Sequence, residues 1–221
     1  ELARAAADGG TTVLAATPHA RADHPTVRPP ELAGRCEMVN GALGEAGVAL
    51  EVVPGGEVDI EWARRASAEE LRLVSYGQRG TDLLVESPYG PLSPADERLL
   101  DDLAGRGFRV LLAHPERNPT FQQEPERVRQ LVERGFLVQV TARAVVPADR
   151  PSTARRLAVE LVEAGVAHVL ASDAHGASRP APPDLAAGHA AATEIVGARA
   201  DWMVRDAPAA ILAGEPLPPP P

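Results

Sequence analysis

Histidines and carboxylates recur just beyond short apolar runs of this chain. They stand in Thr17-Pro18-His19, Gly55-Gly56-Glu57, at Glu86, in His114-Pro115-Glu116-Arg117 and in Ser172-Asp173-Ala174-His175. Mixed nitrogen and oxygen donors of this kind suit manganese, iron or zinc. Several carboxylates can bridge two or more ions and activate a water between them. Taken singly, each residue has a plainer use: His19 or His114 as a structural histidine, Glu57 as a turn cap, Asp173 as a helix N-cap. Their joint placement makes the metal centre the stronger expectation. His24, His168 and His189 have no such neighbours, and His168 and His189 are read as structural.

Other chemistries find no residues to work with. The single cysteine, Cys36, excludes both an intrachain disulfide framework and a thiolate metal cluster. A cysteine-based phosphatase needs an arginine six positions after its nucleophile, where this chain has Ala42. There is no G-x-S-x-G elbow, P-loop or G-x-G-x-x-G. All 22 basic residues are arginine, which removes lysine nucleophiles and Schiff bases. A net charge of -9 argues against general nucleic-acid binding. No apolar run approaches the ~20 residues that span a bilayer, and no signal-peptide pattern opens the chain. A soluble, cytoplasmic protein without membrane insertion is expected.

The elements that must position these groups alternate along 221 residues. Strand-like runs occupy 11–16, 49–53, 82–86, 108–113, 136–140 and 166–171. Helical periodicity covers 31–46, 94–106, 125–134, 152–164 and 185–196, and 1–8 reads as a helix already under way. Gly47, Gly107, Gly135 and Gly165 follow four of the helices and mark their C-termini. Repeated strand–helix units predict an α/β fold with a parallel sheet. In a parallel barrel the C-terminal strand ends converge on one face, where catalytic groups gather. One domain is expected over 1–214, with a disordered proline-rich tail at 215–221.

The motifs Ala16-Thr17-Pro18-His19, Pro54-Gly55-Gly56-Glu57, Ala113-His114-Pro115-Glu116-Arg117-Asn118 and Ala171-Ser172-Asp173-Ala174-His175 resemble the PHP (polymerase and histidinol phosphatase) superfamily. The resemblance is to its bacterial manganese-dependent tyrosine phosphatases, encoded with capsule and exopolysaccharide genes. It continues through Gln139-Val140-Thr141-Ala142, Ser178-Arg179-Pro180 and 206–214, nearly the whole chain. It implies a distorted (β/α)7 TIM-like barrel with two or three manganese ions, iron, zinc or magnesium being the other candidates. His19, Glu57, His114, Asp173 and His175 would be ligands, and Glu97 sits where the family places a further one. Arg117 and Arg179 match arginines that hold the substrate phosphate. The implied partner is a tyrosine-phosphorylated bacterial autokinase that regulates capsule synthesis.

The chain departs from the family pattern at two places. Ala20 stands where the family has a second histidine after Thr-Pro-His. The family also opens with a His-x-His strand and a nearby aspartate, and no such segment precedes Glu1. A chain starting there is expected to lack the first of seven strands, leaving the barrel open and its centre incomplete. Two alternatives therefore stand beside the tyrosine phosphatase: a histidinol-phosphatase-like hydrolase of small phosphoesters, and an inactive truncated barrel that only binds a partner.

Overall fold

The computed structural model describes residues 1–176 and 185–221. Its strands are β1 (Val13–Ala16), β2 (His19–Ala20), β3 (Glu51–Pro54), β4 (Glu57–Asp59), β5 (Asp82–Glu86), β6 (Arg109–Ala113), β7 (Leu137–Thr141) and β8 (Val169–Ala171). Every pairing is parallel: β1 with β3, and β2-β4-β5-β6-β7-β8 in that order. Each of the first two predicted strands is followed by a further short strand outside its expected range. Thr17-Pro18 separates β1 from β2, and Gly55-Gly56 separates β3 from β4. A Cβ on Gly56 would lie 3.0 Å from the Val74 Cβ, so the second break needs a residue without a side chain.

Helices cover the sheet. They are α1 (Leu2–Asp8), α2 (Leu32–Glu45), α3 (Ile60–Ala63), α4 (Ala68–Val74), α5 (Pro94–Gly105), α6 (Pro119–Gln123) and α7 (Glu126–Glu133). The rest are α8 (Ala142–Val145), α9 (Thr153–Glu163), α10 (Leu185–Val196), α11 (Arg199–Asp201) and α12 (Ala207–Ala213). Local chemistry sets their ends. Ser93 and Asp96 form a reciprocal capping box at the start of α5, and the Ser152 hydroxyl caps α9. Gly47, Gly107, Gly135 and Gly165 all take positive φ behind their helices, as their positions in the sequence predicted.

All five residues of β5 and of β7 are buried, as expected for parallel strands covered on both faces. Leu83, Val85, Leu111, Leu112, Val138 and Leu170 belong to the main core. A smaller cluster of Ala6, Cys36, Leu50 and Val52 joins α1, α2 and β3.

The sheet is left open, and the C-terminal tail departs from expectation. Among the described residues the barrel does not close: β1 and β2 at one edge and β8 at the other have no further strand partner. The edges nevertheless approach at their C-terminal ends, where the Nε2 atoms of His19 and His175 are 3.4 Å apart. The tail expected to be disordered is tied down as far as Pro218. Arg109 donates to the Glu215 carbonyl at 2.7 Å, the Trp202 indole donates to the Pro218 carbonyl at 3.0 Å, and Leu217 packs on the core. No helix of the described residues is long and apolar enough to cross a membrane.

Candidate metal centre

Parallel register places the candidate ligands. His19 and Glu57 are direct partners between β2 and β4, and Asp59 and Glu86 are partners between β4 and β5. Glu86 pairs in turn with Ala113, the residue before His114. Thr141 pairs with Ala171, and Asp173 and His175 follow two and four residues later. His19 and Glu57 open β2 and β4, just beyond β1 and β3, while Glu86, His114 and Asp173 stand at or past the C-terminal ends of β5, β6 and β8, so that polar groups gather on one rim.

The groups meet there. His19 Nδ1 lies 3.0 Å from Glu57 Oε1, and His114 Nε2 lies 3.4 Å from Glu57 Oε2 and 3.8 Å from Glu86 Oε1. Two triads, His19–Glu57–Glu86 and Glu57–His114–Asp173, each bring their ligand atoms within 4.8 Å of one another. Glu57 belongs to both, with one oxygen toward each histidine, which is the geometry of a bridging carboxylate. His175 adds its Nε2 beside His19, while its Nδ1 faces the Asp173 carbonyl at 3.0 Å. Glu57 and His114 are only 4% exposed, so water cannot solvate them freely.

The donor set fits a cation by a further criterion. Among the described residues His19 Nδ1 and Glu57 Oε1 are both buried and have no hydrogen-bond partner, although they lie 3.0 Å apart. Buried polar atoms are normally satisfied, and two left aimed into a shared space call for a third atom. His114 and Asp173 also hold φ of 28° and 47°, backbone conformations that non-glycine residues adopt only under constraint.

Electrostatics keep the cluster ionisable. Burial pushes the Glu57 carboxyl up, but the hydrogen bond and charge of His114, with the charge of His19, outweigh it and leave the pKa lowered. Burial likewise pulls His114 down, and Glu57 reverses the sign. Glu86 is raised, first by burial and then by the neighbouring Glu57 charge. Burial and the charges of close neighbours thus set the two carboxyls in opposite directions.

Two arginines flank the cluster. Arg21 donates to Glu86 Oε2 at 3.1 Å and to Asp23 Oδ1 at 3.0 Å. Arg117 pairs with Asp173 and donates to Thr141 Oγ1 at 3.2 Å, with about half of its side chain exposed. Behind it, the wholly buried Glu116 accepts the Thr141 N–H at 2.9 Å and fixes the end of β7.

Of the ligands expected from the sequence, His19, Glu57, His114, Asp173 and His175 are brought together. Glu97 is not. It lies in the first turn of α5, where Arg127 and Arg134 hold its carboxylate against the next helix and neither oxygen faces the cluster. Its place among the carboxylates is taken by Glu86, whose position at the end of a strand was its only sequence signal. Arg179 lies outside the described residues. Arg21 and Tyr89 also line the rim and had no signal in the sequence. His24 stacks near His19, with centroids 5.1 Å apart; His168 and His189 are bound elsewhere, to Val138 and Asp201.

A family model described as capsular polysaccharide synthesis, CpsB/CapC, matches residues 1–213. Tyrosine-protein phosphatase YwqE of Bacillus subtilis (strain 168) is 30% identical over 175 residues, covering 79% of this chain and 68% of that protein. The CapC protein of Staphylococcus aureus is 32% identical over 93 residues, 42% of this chain and 36% of that one. A solved structure from work on YwqE of Bacillus subtilis and CpsB of Streptococcus pneumoniae superposes with a TM-score of 0.82. It covers 99% of this chain and 88% of the other at 24% identity, and those proteins are described as metal-dependent tyrosine phosphatases. At that identity the likeness carries the fold.

Proposed function

Because the chain belongs to the CpsB/CapC family of capsular polysaccharide synthesis, we propose that it is a metal-dependent phosphomonoesterase acting on phosphotyrosine. The observation that carries this reading is the pair of ligand triads sharing Glu57, with a buried histidine nitrogen and carboxylate oxygen that have no hydrogen-bond partner among the described residues. The names of the relatives, tyrosine phosphatases that depend on metal, point the same way. Manganese is the proposed metal, held by His19, Glu57, Glu86, His114, Asp173 and His175.

The chemistry supplied by divalent cations held there is Lewis acidity, which makes water nucleophilic near neutral pH and offsets charge on phosphoryl oxygens. The protein's part is placement. Glu57 spans the two triads and fixes their separation. Glu86 and Asp173 are each held by an arginine, so their carboxylates keep one orientation before substrate arrives. Arg117, half exposed at the mouth, is positioned to clamp non-bridging phosphate oxygens as negative charge redistributes in the transition state. Glu116, through Thr141, keeps that guanidinium from swinging away. Arg179 is proposed as a second clamp on its match to the family motif.

The proposed natural substrate is a tyrosine-phosphorylated autokinase of the capsule machinery. Hydrolysis of a phosphotyrosine peptide should require manganese, vanish on chelation and return on adding the metal back. Turnover that survives complete metal removal would refute the mechanism.

A further inference from the structure

Tyr89 stands out among the aromatic residues of this chain. Aromatics make up only 3% of the sequence, yet Tyr89 is left 73% exposed at the rim of the metal centre. It lines one pocket with His19, His114, Arg117, Asp173 and His175. The pocket has a volume of about 150 Å³, enough for a phosphate group and part of the group that carries it. The rest of the carrier extends past the rim, of which the Tyr89 ring is part.

That ring is held in place. The Arg21 guanidinium lies 4.5 Å from its centroid on one side, and Arg21 is itself fixed by Glu86 and Asp23. The loop is pinned from below by the buried amide of Asn118. Its Nδ2 reaches Ser87 Oγ at 3.2 Å, the Pro88 carbonyl at 2.8 Å and the Gly90 carbonyl at 3.1 Å, bracketing Tyr89 on both sides. Asn118 belongs to the same five-residue segment as His114 and Arg117, so ligand, clamp and loop anchor move as one piece. The Tyr89 hydroxyl has no hydrogen bond among the described residues. With Arg21 against the ring and the residue largely exposed, Tyr89 leaves aromatic surface free at the edge of the pocket.

Resting on the phosphatase reading above, we propose that Tyr89 is the specificity-determining residue that selects aryl over alkyl phosphates, by packing against the aromatic ring of the substrate. A phosphotyrosine ring offers an offset-stacked or edge-on contact that a phosphoserine methylene cannot.

The test uses the manganese-loaded protein and two inert mimics, phenylphosphonate and methylphosphonate, bound in a titration calorimeter. Wild type should prefer the phenyl compound. Tyr89→Ala should cut that preference about 3- to 10-fold, the span of one aromatic pair, and Tyr89→Phe should keep it. Equal weakening of both ligands by Tyr89→Ala, no change in the preference, or a Tyr89→Phe protein as impaired as Tyr89→Ala would each overturn the proposal. Wild-type protein that binds phosphonates without preferring phenyl overturns it while leaving the phosphatase reading intact. Wild-type protein that binds neither removes both.

Discussion

His168 should make this protein lose stability in mild acid, by an amount its surroundings allow to be worked out. The ring lies just before β8, where its Nδ1 accepts the Val138 N–H at 3.2 Å while the backbone N–H of His168 donates to the Val138 carbonyl at 2.8 Å. Burial, and then the Arg199 charge, lower its pKa to about 4. Protonating Nδ1 would also abolish the acceptor that Val138 uses. The unfolded chain takes up this proton near pH 6.5, whereas the folded one resists it until about pH 4. The unfolded state thus binds more protons across that window, and stability falls as the pH drops through it. At pH 5 the cost approaches roughly 2 kcal/mol, and partial solvent access brings it to about 1–2 kcal/mol. His168→Asn is the control, since its Oδ1 replaces the acceptor without titrating. Urea denaturation of metal-free protein at pH 7.5 and pH 5 should show wild type losing about 1–2 kcal/mol more than the variant. A stability difference between the two that does not change with pH would show the reasoning wrong.

Further outcomes follow from the centre and its supports. Glu57→Gln removes a ligand from both triads, so manganese affinity should fall at least about 100-fold and hydrolysis with it; metal analysis after dialysis reads this directly. Glu97→Gln should leave metal content unchanged and cost at most about 1 kcal/mol by denaturant melting, because its partners are partly exposed arginines; lost metal would return Glu97 to the site. Gly188→Ala would place a Cβ 2.5 Å from the Ala142 Cβ and 2.7 Å from its carbonyl, forcing α10 off α8. A loss of about 1–3 kcal/mol is expected in thermal or urea unfolding, and an unchanged midpoint would contradict that packing.

Much of the fold was legible because its determinants are local. Apolar runs such as Leu83-Leu84-Val85 and Val138 to Val140 carry the strands, and glycines with positive φ close the helices that precede them. The ligand residues were readable because each follows a strand, and parallel pairing aligns strand ends regardless of distance in sequence. What was missed depends on contacts between distant segments. Glu97 looks like a ligand by type, but Arg127 in α7 and Arg134 at its C-terminal end claim it. Glu86 showed in the sequence only as a carboxylate at a strand end; its place in the cluster comes from lying beside Glu57 across the sheet. The tail is proline-rich, yet Trp202 and Arg109 supply donors for its carbonyls. Short helices such as α3 and α8 are too brief to show periodicity. Barrel closure depends on which strands meet at the edges, and no single segment encodes it.

The most direct test is manganese stoichiometry on the intact protein, by elemental analysis after loading and gel filtration, with electron paramagnetic resonance on the same sample. At least about two ions per chain, with the signal of magnetically coupled manganese, is the result expected of triads that share Glu57. A content well below one ion, or a spectrum of isolated ions only, would contradict the shared centre.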